Sequence, residues 1–360
     1  MTRTSTIRAI AHALPRNTLS YEELALRFGE KQVASIYKMS GIHDRRVVEP
    51  GQCASDLAQA AARRLLDHVE VEQSTIDALI FASQTPDYRI PATASRLQGE
   101  LGLGEHCLTF DINQACASFV FALQVAHSLV AAETARRVLL LNADALSTLI
   151  NPRDHGLVTL HGDAAAAALV EPSASESAGI EFFEAGTSGK DYQKLIVPAG
   201  GARMPSSVET RRETTDENGI VRSPEQIYMD GPAIFHFSLY KIKNFVKNLL
   251  EKRGLSVADY DMILFHQANK TMVDLLYKNL QVPKEKQFFC LEHTGNSSGA
   301  SLPSLLAQAW REGVVKPGMR TLLCSFGGGL SWGACSIRWP ADIDAAVPGE
   351  IDVPSLSQPV

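Results

Sequence analysis

The chain has 360 residues, 45% hydrophobic and 21% charged, with a formal net charge of −6. That length suits one large domain or two fused halves, and the acidic balance excludes a general nucleic-acid binder. No run approaches the ~20 apolar residues of a membrane span, and the opening "MTRTSTIRAIAHALPRN" has no apolar stretch long enough for a signal peptide. The protein is therefore expected in the cytoplasm, with its six cysteines as free thiols.

Taken in chain order, buried strands are predicted at 77–85 (DALIFASQT), 107–113 (CLTFDIN), 136–144 (RRVLLLNAD) and 163–172 (DAAAAALVEP). Each is a short, nearly continuous apolar run, as expected of strands covered on both faces. A second set follows at 260–269 (YDMILFHQAN), 287–296 (QFFCLEHTGN), 319–329 (MRTLLCSFGGG) and 331–339 (SWGACSIRW). The starts 77, 107, 136 and 163 are matched by 260, 287, 319 and 331, spacings of 183, 180, 183 and 168 residues. Strands alternating with helical stretches imply an α/β fold, and the near-constant spacing implies two copies of one α/β unit packed face to face.

The expected organisation is an N-terminal half at 1–175, a C-terminal half at 176–340 and an extended tail at 341–360. Within the second half, 197–226 is rich in Gly, Pro, Ser and charge and reads as a long excursion loop or lid. The tail is Pro-rich and acidic, and is expected to run over the surface or to be disordered.

Cys116 stands where the 107–113 strand hands over to "ASFVFALQVAHSLVAA". Apolar Phe119, Val120, Leu123, Ala126 and Val130 give that stretch a helical face. A thiol at a helix start meets unpaired N–H groups and the positive end of the macrodipole, which favour the thiolate. A buried core thiol remains the other reading of Cys116. His266 in "LFHQAN" and Asn296 in "EHTGNSSGAS" occupy the ends of two second-half strands, where α/β sheets place their sites. A cysteine nucleophile for acyl transfer needs such polar partners and an oxyanion hole. The glycines of "SFGGGLSWG" allow close backbone approach and could complete that hole with the N–H of Cys116. They are not a phosphate loop, because no GK[ST] follows. No cluster has metal-ligand spacing, so no metal is expected.

Together, "NQACASF", "HQAN", "GNSSGAS" and "FGGGLSWG" resemble the motifs of the β-ketoacyl-acyl carrier protein synthase III family of the thiolase superfamily. The resemblance covers roughly residues 5–340 and extends to "SGIHDRRVVEP" (40–50) and "HGDAAAAALV" (161–170). It implies a duplicated five-layer α-β-α-β-α fold, a homodimer and no permanently bound cofactor. Acyl carrier protein or coenzyme A thioesters are the implied substrates. It further implies that Cys116 holds an acyl group and that His266 and Asn296 hydrogen-bond a second thioester as CO₂ leaves. The N–H groups of Cys116 and Gly328 would hold the tetrahedral oxyanion, with Phe326, Gly327 and Gly329 lining the substrate.

Departures from the family pattern sharpen this. Housekeeping members of the family stack a coenzyme A adenine between a Trp and an Arg; those positions are Ser35 and His155 here, favouring a primer on a carrier protein. The residue that closes the partner's acyl pocket is Ile90, before Pro91, favouring an acyl group other than acetyl. The usual glycines after "HGD" are Ala164 and Ala166. The basic face formed by Lys241, Lys243, Lys247, Lys252 and Arg253, extended by Lys270 and Lys278, reads either as a solvated helix or as a dock for an acidic carrier protein.

The leading expectation is a specialised ketosynthase III-like enzyme of secondary-metabolite or unusual lipid biosynthesis, cyclohexanedione or dialkylresorcinol formation included. The alternatives are housekeeping fatty acid chain initiation, an O- or N-acyltransferase, a cysteine hydrolase, and a non-catalytic partner subunit. Retention of Cys116, His266 and Asn296 weighs against the last.

Overall fold

The structure is a computed structural model that describes residues 4–175, 177–349 and 351–354. In the first half, β1 is Ser5–Pro15, α1 Tyr21–Phe28, α2 Glu30–Ser40 and α3 Ala54–Val69. Then come β2 Ala78–Ala82, α4 Thr93–Glu100, β3 Leu108–Ile112, α5 Ser118–Ala131, β4 Val138–Asp144 and β5 Ala164–Pro172. The second half contains β6 Gly179–Thr187, α6 Lys243–Lys252, β7 Met262–Phe265, α7 Lys270–Asn279, α8 Ser301–Arg311, β8 Arg320–Gly327 and β9 Ser331–Arg338. A last strand, β10, is Ile351–Val353.

Side-chain alternation builds the layers. Val138 and Leu140 of β4, with Ile80 of β2, join the same core as Phe119, Val120 and Leu123 of α5 and Leu302, Leu305 and Leu306 of α8. Leu264 of β7 and Leu323 of β8 enter that core from the other sheet. The intervening residues point away. Leu79, Phe81, Leu139 and Leu141 pack on α3 and α4, whereas Ile263, Phe265, Leu322 and Cys324 pack on α6 and α7. Period-two alternation on strands buried on both faces thus yields helix, sheet, two central helices, sheet, helix.

The first sheet runs β10-β1-β5-β4-β2-β3 and the second β7-β8-β9-β6. Reversed, the second reads β6-β9-β8-β7, the same path as β1-β5-β4-β2. The directions repeat as well: two antiparallel pairings and then a parallel one. The duplication is therefore present in the topology. Two strands of this pattern, β1 and β6, were not among those expected. β6 mixes Glu181 and Glu184 with its apolar residues, which hides it in the sequence.

Three expectations need correction. Residues 287–296 form no strand beyond a single bridge at Asn296. Instead, the buried Gln267 side chain donates to the Phe288 carbonyl and accepts from the Cys290 N–H, each at 2.9 Å. The described part of the tail is not loose: Ile343, Ala345 and Val347 are buried, and β10 pairs in parallel with Ala13–Pro15. Nor is 197–226 without order. It carries a short Thr214–Thr215/Val221–Arg222 hairpin. It is strapped to the 151–154 turn by an Arg222–Asp154 ion pair of 3.1 Å and by Asn151, which donates to Glu213 and Gln226. Among the described residues, no helix is long and apolar enough to cross a membrane.

Candidate active site

β3 ends at Ile112, and the chain turns through a 3-10 step, Ala115–Ala117, before α5 begins. Ala115 has φ +47°, a left-handed conformation that costs about 1–2 kcal/mol for a residue with a Cβ. The turn is held by contacts on both sides. Ser325 Oγ donates to the Ala117 carbonyl at 3.2 Å, and Asn142 donates to Ser118 Oγ at 3.0 Å. Gly327 lies against the thiol so closely that a Cβ there would be 2.6 Å from Cys116 Cβ and 2.9 Å from Sγ.

Cys116 is buried, and its Sγ lies 3.2 Å from Ser298 Oγ. Burial pushes the thiol up to about 11, and the nearby Asp144 adds to this. The Ser298 hydrogen bond and the backbone groups of Cys116 and Gly328 pull the other way. The helix-start argument therefore predicted the wrong direction: loss of hydration outweighs the N–H groups. The same backbone groups are the ones expected for the oxyanion hole.

Asn296 is fixed through its neighbours. Its Oδ1 accepts the Ser298 N–H at 2.9 Å, so its amide nitrogen is the end left to donate. Its backbone bridges His161, with the Asn296 N–H on the Leu160 carbonyl at 2.9 Å and the Gly162 N–H on the Asn296 carbonyl at 3.2 Å. Only glycine permits that approach, because a Cβ at Gly162 would sit 2.0 Å from the Thr294 carbonyl oxygen.

His266 follows β7. Its ring meets Phe326 edge-on at 5.6 Å, and burial pushes it down to about 3, aided by His161. Its Nδ1 is buried without a hydrogen-bond partner. An orphaned lone pair costs less than an orphaned N–H, so the neutral ring carries its proton on Nε2.

A cleft of about 350 Å³ opens onto Cys116, Ser298, Gly328 and Gly329, with apolar walls that include Leu149 and Ile227. Val197 and Ile227, at the two ends of the strap, belong to that wall. Neither His266 nor Asn296 lines it; the histidine that does is His161, which the sequence reading passed over. Asp144 was also missed. Buried at the end of β4, it accepts the Gln84 N–H at 2.7 Å and the Gly299 N–H at 2.9 Å. It thereby holds the turn that presents Ser298. His161 opens the "HGDAAAAALV" segment and Asp144 ends a predicted strand, so both stood in legible stretches, but neither was singled out and only the fold brings them to the thiol.

The remaining predicted contacts lie elsewhere. Phe326 and Gly327 are buried but do not line the cleft. Ile90 is 86% exposed and does not reach the cleft of its own chain. Ser35 is exposed on α2, and the His155 ring packs edge-on against Phe28 at 6.1 Å. Several of the basic residues have partners. Lys247 faces Glu251, Lys252 faces Glu184, and Lys270 faces Asp274. Lys241 lies over Trp332 and Arg253 over Phe182. Lys243 is half-buried and Lys278 exposed. Away from the cleft, His43 and His293 share the Asp44 carboxylate at 2.9 and 3.1 Å, a grouping that sequence spacing cannot show.

Residues 110–189 match the family described as 3-oxoacyl-[acyl-carrier-protein] synthase III, and residues 250–339 match its C-terminal part. The chain is 36% identical over 321 residues to the β-ketoacyl-[acyl-carrier-protein] synthase III of Rhodopirellula baltica, covering 84% of this chain and 90% of that one. The chain belongs to the 3-oxoacyl-[acyl-carrier-protein] synthase III family. It is a condensing acyltransferase of the thiolase superfamily, which makes Claisen-type joining of acyl groups its reaction class. A solved 3-oxoacyl-(acyl-carrier protein) synthase from Burkholderia xenovorans shares the fold with TM-score 0.88 at 33% identity, covering 98% of each chain. The priming β-ketosynthase of the R1128 polyketide pathway shares it with TM-score 0.80 at 28% identity, covering 94% of this chain and 97% of that one.

Proposed function

We propose that this synthase III condenses an acyl group held on Cys116 with a malonyl- or β-ketoacyl-type thioester, in the making of a secondary metabolite or an unusual lipid. The observation that carries it is the connected set Cys116–Ser298–Asn296, with the backbone groups of Cys116 and Gly328 at the sulfur. The Cys116 sulfur attacks the thioester carbonyl, and the carrier thiol leaves with the proton. A malonyl thioester then loses CO₂, and the electrons of the broken C–C bond pass onto its thioester oxygen. His266 Nε2–H and the Asn296 amide are neutral donors for that oxygen, and they bind the enolate more strongly than the ground state. The carbanion attacks the acyl-cysteine, a C–C bond forms, and the Cys116 thiolate departs.

A carrier-protein primer fits better than a coenzyme A one, because Ser35 offers no ring to stack an adenine and His155 is packed on Phe28. A homodimer is the reading that β3, an edge strand among the described residues, and the exposed Ile90 support. The R1128 priming ketosynthase, named for a polyketide pathway, supports the specialised role. Fatty acid chain initiation is the second reading, favoured by the names of the curated relatives.

The test is a donor screen read by intact-protein mass. Medium-chain, branched and acetyl groups, on carrier protein and on coenzyme A, are offered to the native chain, Cys116→Ala and Asn296→Ala. The native chain gains one acyl mass and Cys116→Ala gains none. Asn296→Ala still loads but releases CO₂ from malonyl carrier protein about 10²–10³-fold more slowly. Loading of Cys116→Ala at the native level removes the nucleophile assignment. Preferred loading from acetyl coenzyme A returns the chain to simple initiation.

A further inference from the structure

We infer that His161 presents a hydrogen-bond acceptor to the bound substrate beside Cys116, and that the acyl chain this enzyme prefers carries a hydroxyl group. The inference rests on the reading of Cys116 as the acyl-carrying thiol. His161 Nδ1 lies 3.2 Å from the Asn296 backbone oxygen. A carbonyl oxygen only accepts, so Nδ1 bears the hydrogen. In the neutral ring this leaves a lone pair on Nε2. Burial keeps the ring neutral, pushing it down to about 4.

That Nε2 is not sealed in the core. Among the described residues the buried atoms without partners include His266 Nδ1 but not His161 Nε2, and His161 lines the cleft. Of the other polar side chains in the wall, Asn113 is exposed, and Ser298, Gln84 and Gln114 each have a protein partner. Ser298 Oγ lies 3.2 Å from Cys116 Sγ and 2.6 Å from Gln84 Nε2, and Gln114 Oε1 accepts from Ser331 Oγ at 3.2 Å. With apolar Leu149 and Ile227 also in the wall, His161 Nε2 is an open acceptor in a largely apolar cleft. A substrate donor would satisfy it. An alkyl chain would leave it dry, slowing the reaction roughly 10–100-fold.

An O–H or N–H donor could come from the acyl chain or from the amides of the phosphopantetheine arm, and the assay separates them. Single-turnover loading of Cys116 is measured with 3-hydroxyhexanoyl and hexanoyl groups on the same carrier protein, for the native chain, His161→Phe and His161→Gln. The native chain is expected to load the hydroxylated group at least 10-fold faster. His161→Phe brings that ratio to about one, and His161→Gln, which keeps a carbonyl acceptor, retains part of it. Because the arm is common to both substrates, an equal slowing of both in His161→Phe assigns the acceptor to the arm and overturns the hydroxyl-chain assignment. An unchanged ratio at unchanged rates removes His161 from substrate contact. A purely structural His161 would lower the melting temperature and both rates together, with no rescue of the ratio in His161→Gln. Native protein that loads neither group on Cys116 overturns the thiol reading itself, a different failure from an unaltered ratio.

Discussion

Gly327→Ala isolates the packing that aims the Cys116 thiol. Gly327 has φ 172°, an extended backbone open to any residue, so alanine adds no backbone strain. All of its effect must come from the new Cβ, which would stand 2.6 Å from Cys116 Cβ where ordinary contacts begin at 3.4 Å. Relief requires about 0.8 Å of movement by the Cys116 turn, β8 or both. Overpacking of this kind costs about 1–3 kcal/mol, and a misplacement near 1 Å costs about 10²-fold in reaction rate. The expected result is a folded protein with a lowered melting temperature, and Cys116 acylation slowed about 10–100-fold in single-turnover mass spectrometry. Repeating the substitution in a Cys116→Gly background, where the clashing side chain is gone, should recover most of the lost stability. Acylation within twofold of native, with an unchanged melting temperature, would refute the reasoning.

Two further outcomes are expected. Burial holds His12 and His161 down to about 4 and His266 to about 3. Their unfolded counterparts bind protons near pH 6.5, so the unfolded state takes up more protons than the native state as pH falls below 6.5. Stability is complete above that pH and declines below it, at up to about 1.4 kcal/mol per pH unit for each histidine. The urea midpoint should fall between pH 7.5 and 5, less steeply in His161→Gln; a flat midpoint in the native chain would contradict the burial account. For the carrier surface, Lys247→Glu with Lys252→Glu should raise the KM for acyl carrier protein several-fold while leaving hydrolytic loss of the acyl group unchanged. Since both lysines already face glutamates, an unmoved KM would return α6 to an ordinary solvated face.

Much of the fold was legible because strands covered on both faces must be apolar throughout. "VLLL" in β4 and "AAAAALV" in β5 leave little choice of environment. β6 was hidden because its charged residues break that pattern, and 287–296 misled because an apolar run there is clipped by the Gln267 side chain instead of laddered. The site was partly legible for a related reason. Cys116 and His266 sit at junctions that the sequence exposes as strand ends. Asn296 was chosen as a strand end, which it is not; the structure instead links it to Ser298 beside the thiol. His161 and Asp144 lie within legible stretches, but their places beside the thiol depend on pairings across more than a hundred residues. The thiol's pKa direction was misjudged because helix-end N–H groups can be counted in a sequence, whereas lost hydration cannot.

The duplication has one more consequence. Cys116 and Gly299 are 183 residues apart, and so are Asp144 and Gly327. Each pair occupies matching positions of the two halves: the turns before α5 and α8, with Ala115 and Ser298 both left-handed, and the ends of β4 and β8. Across the centre, Cys116 fits only against Gly327, and Asp144 only against Gly299, where a Cβ would be 3.0 Å from its carboxylate. The two copies interlock like a key and its keyhole, each supplying one protrusion and one gap. A side chain at 299, the position that matches Cys116, would crowd Ser118 and Asp144. On the proposed reading of Cys116, one chain holds one acyl group at a time, and the second half serves the first as a mould.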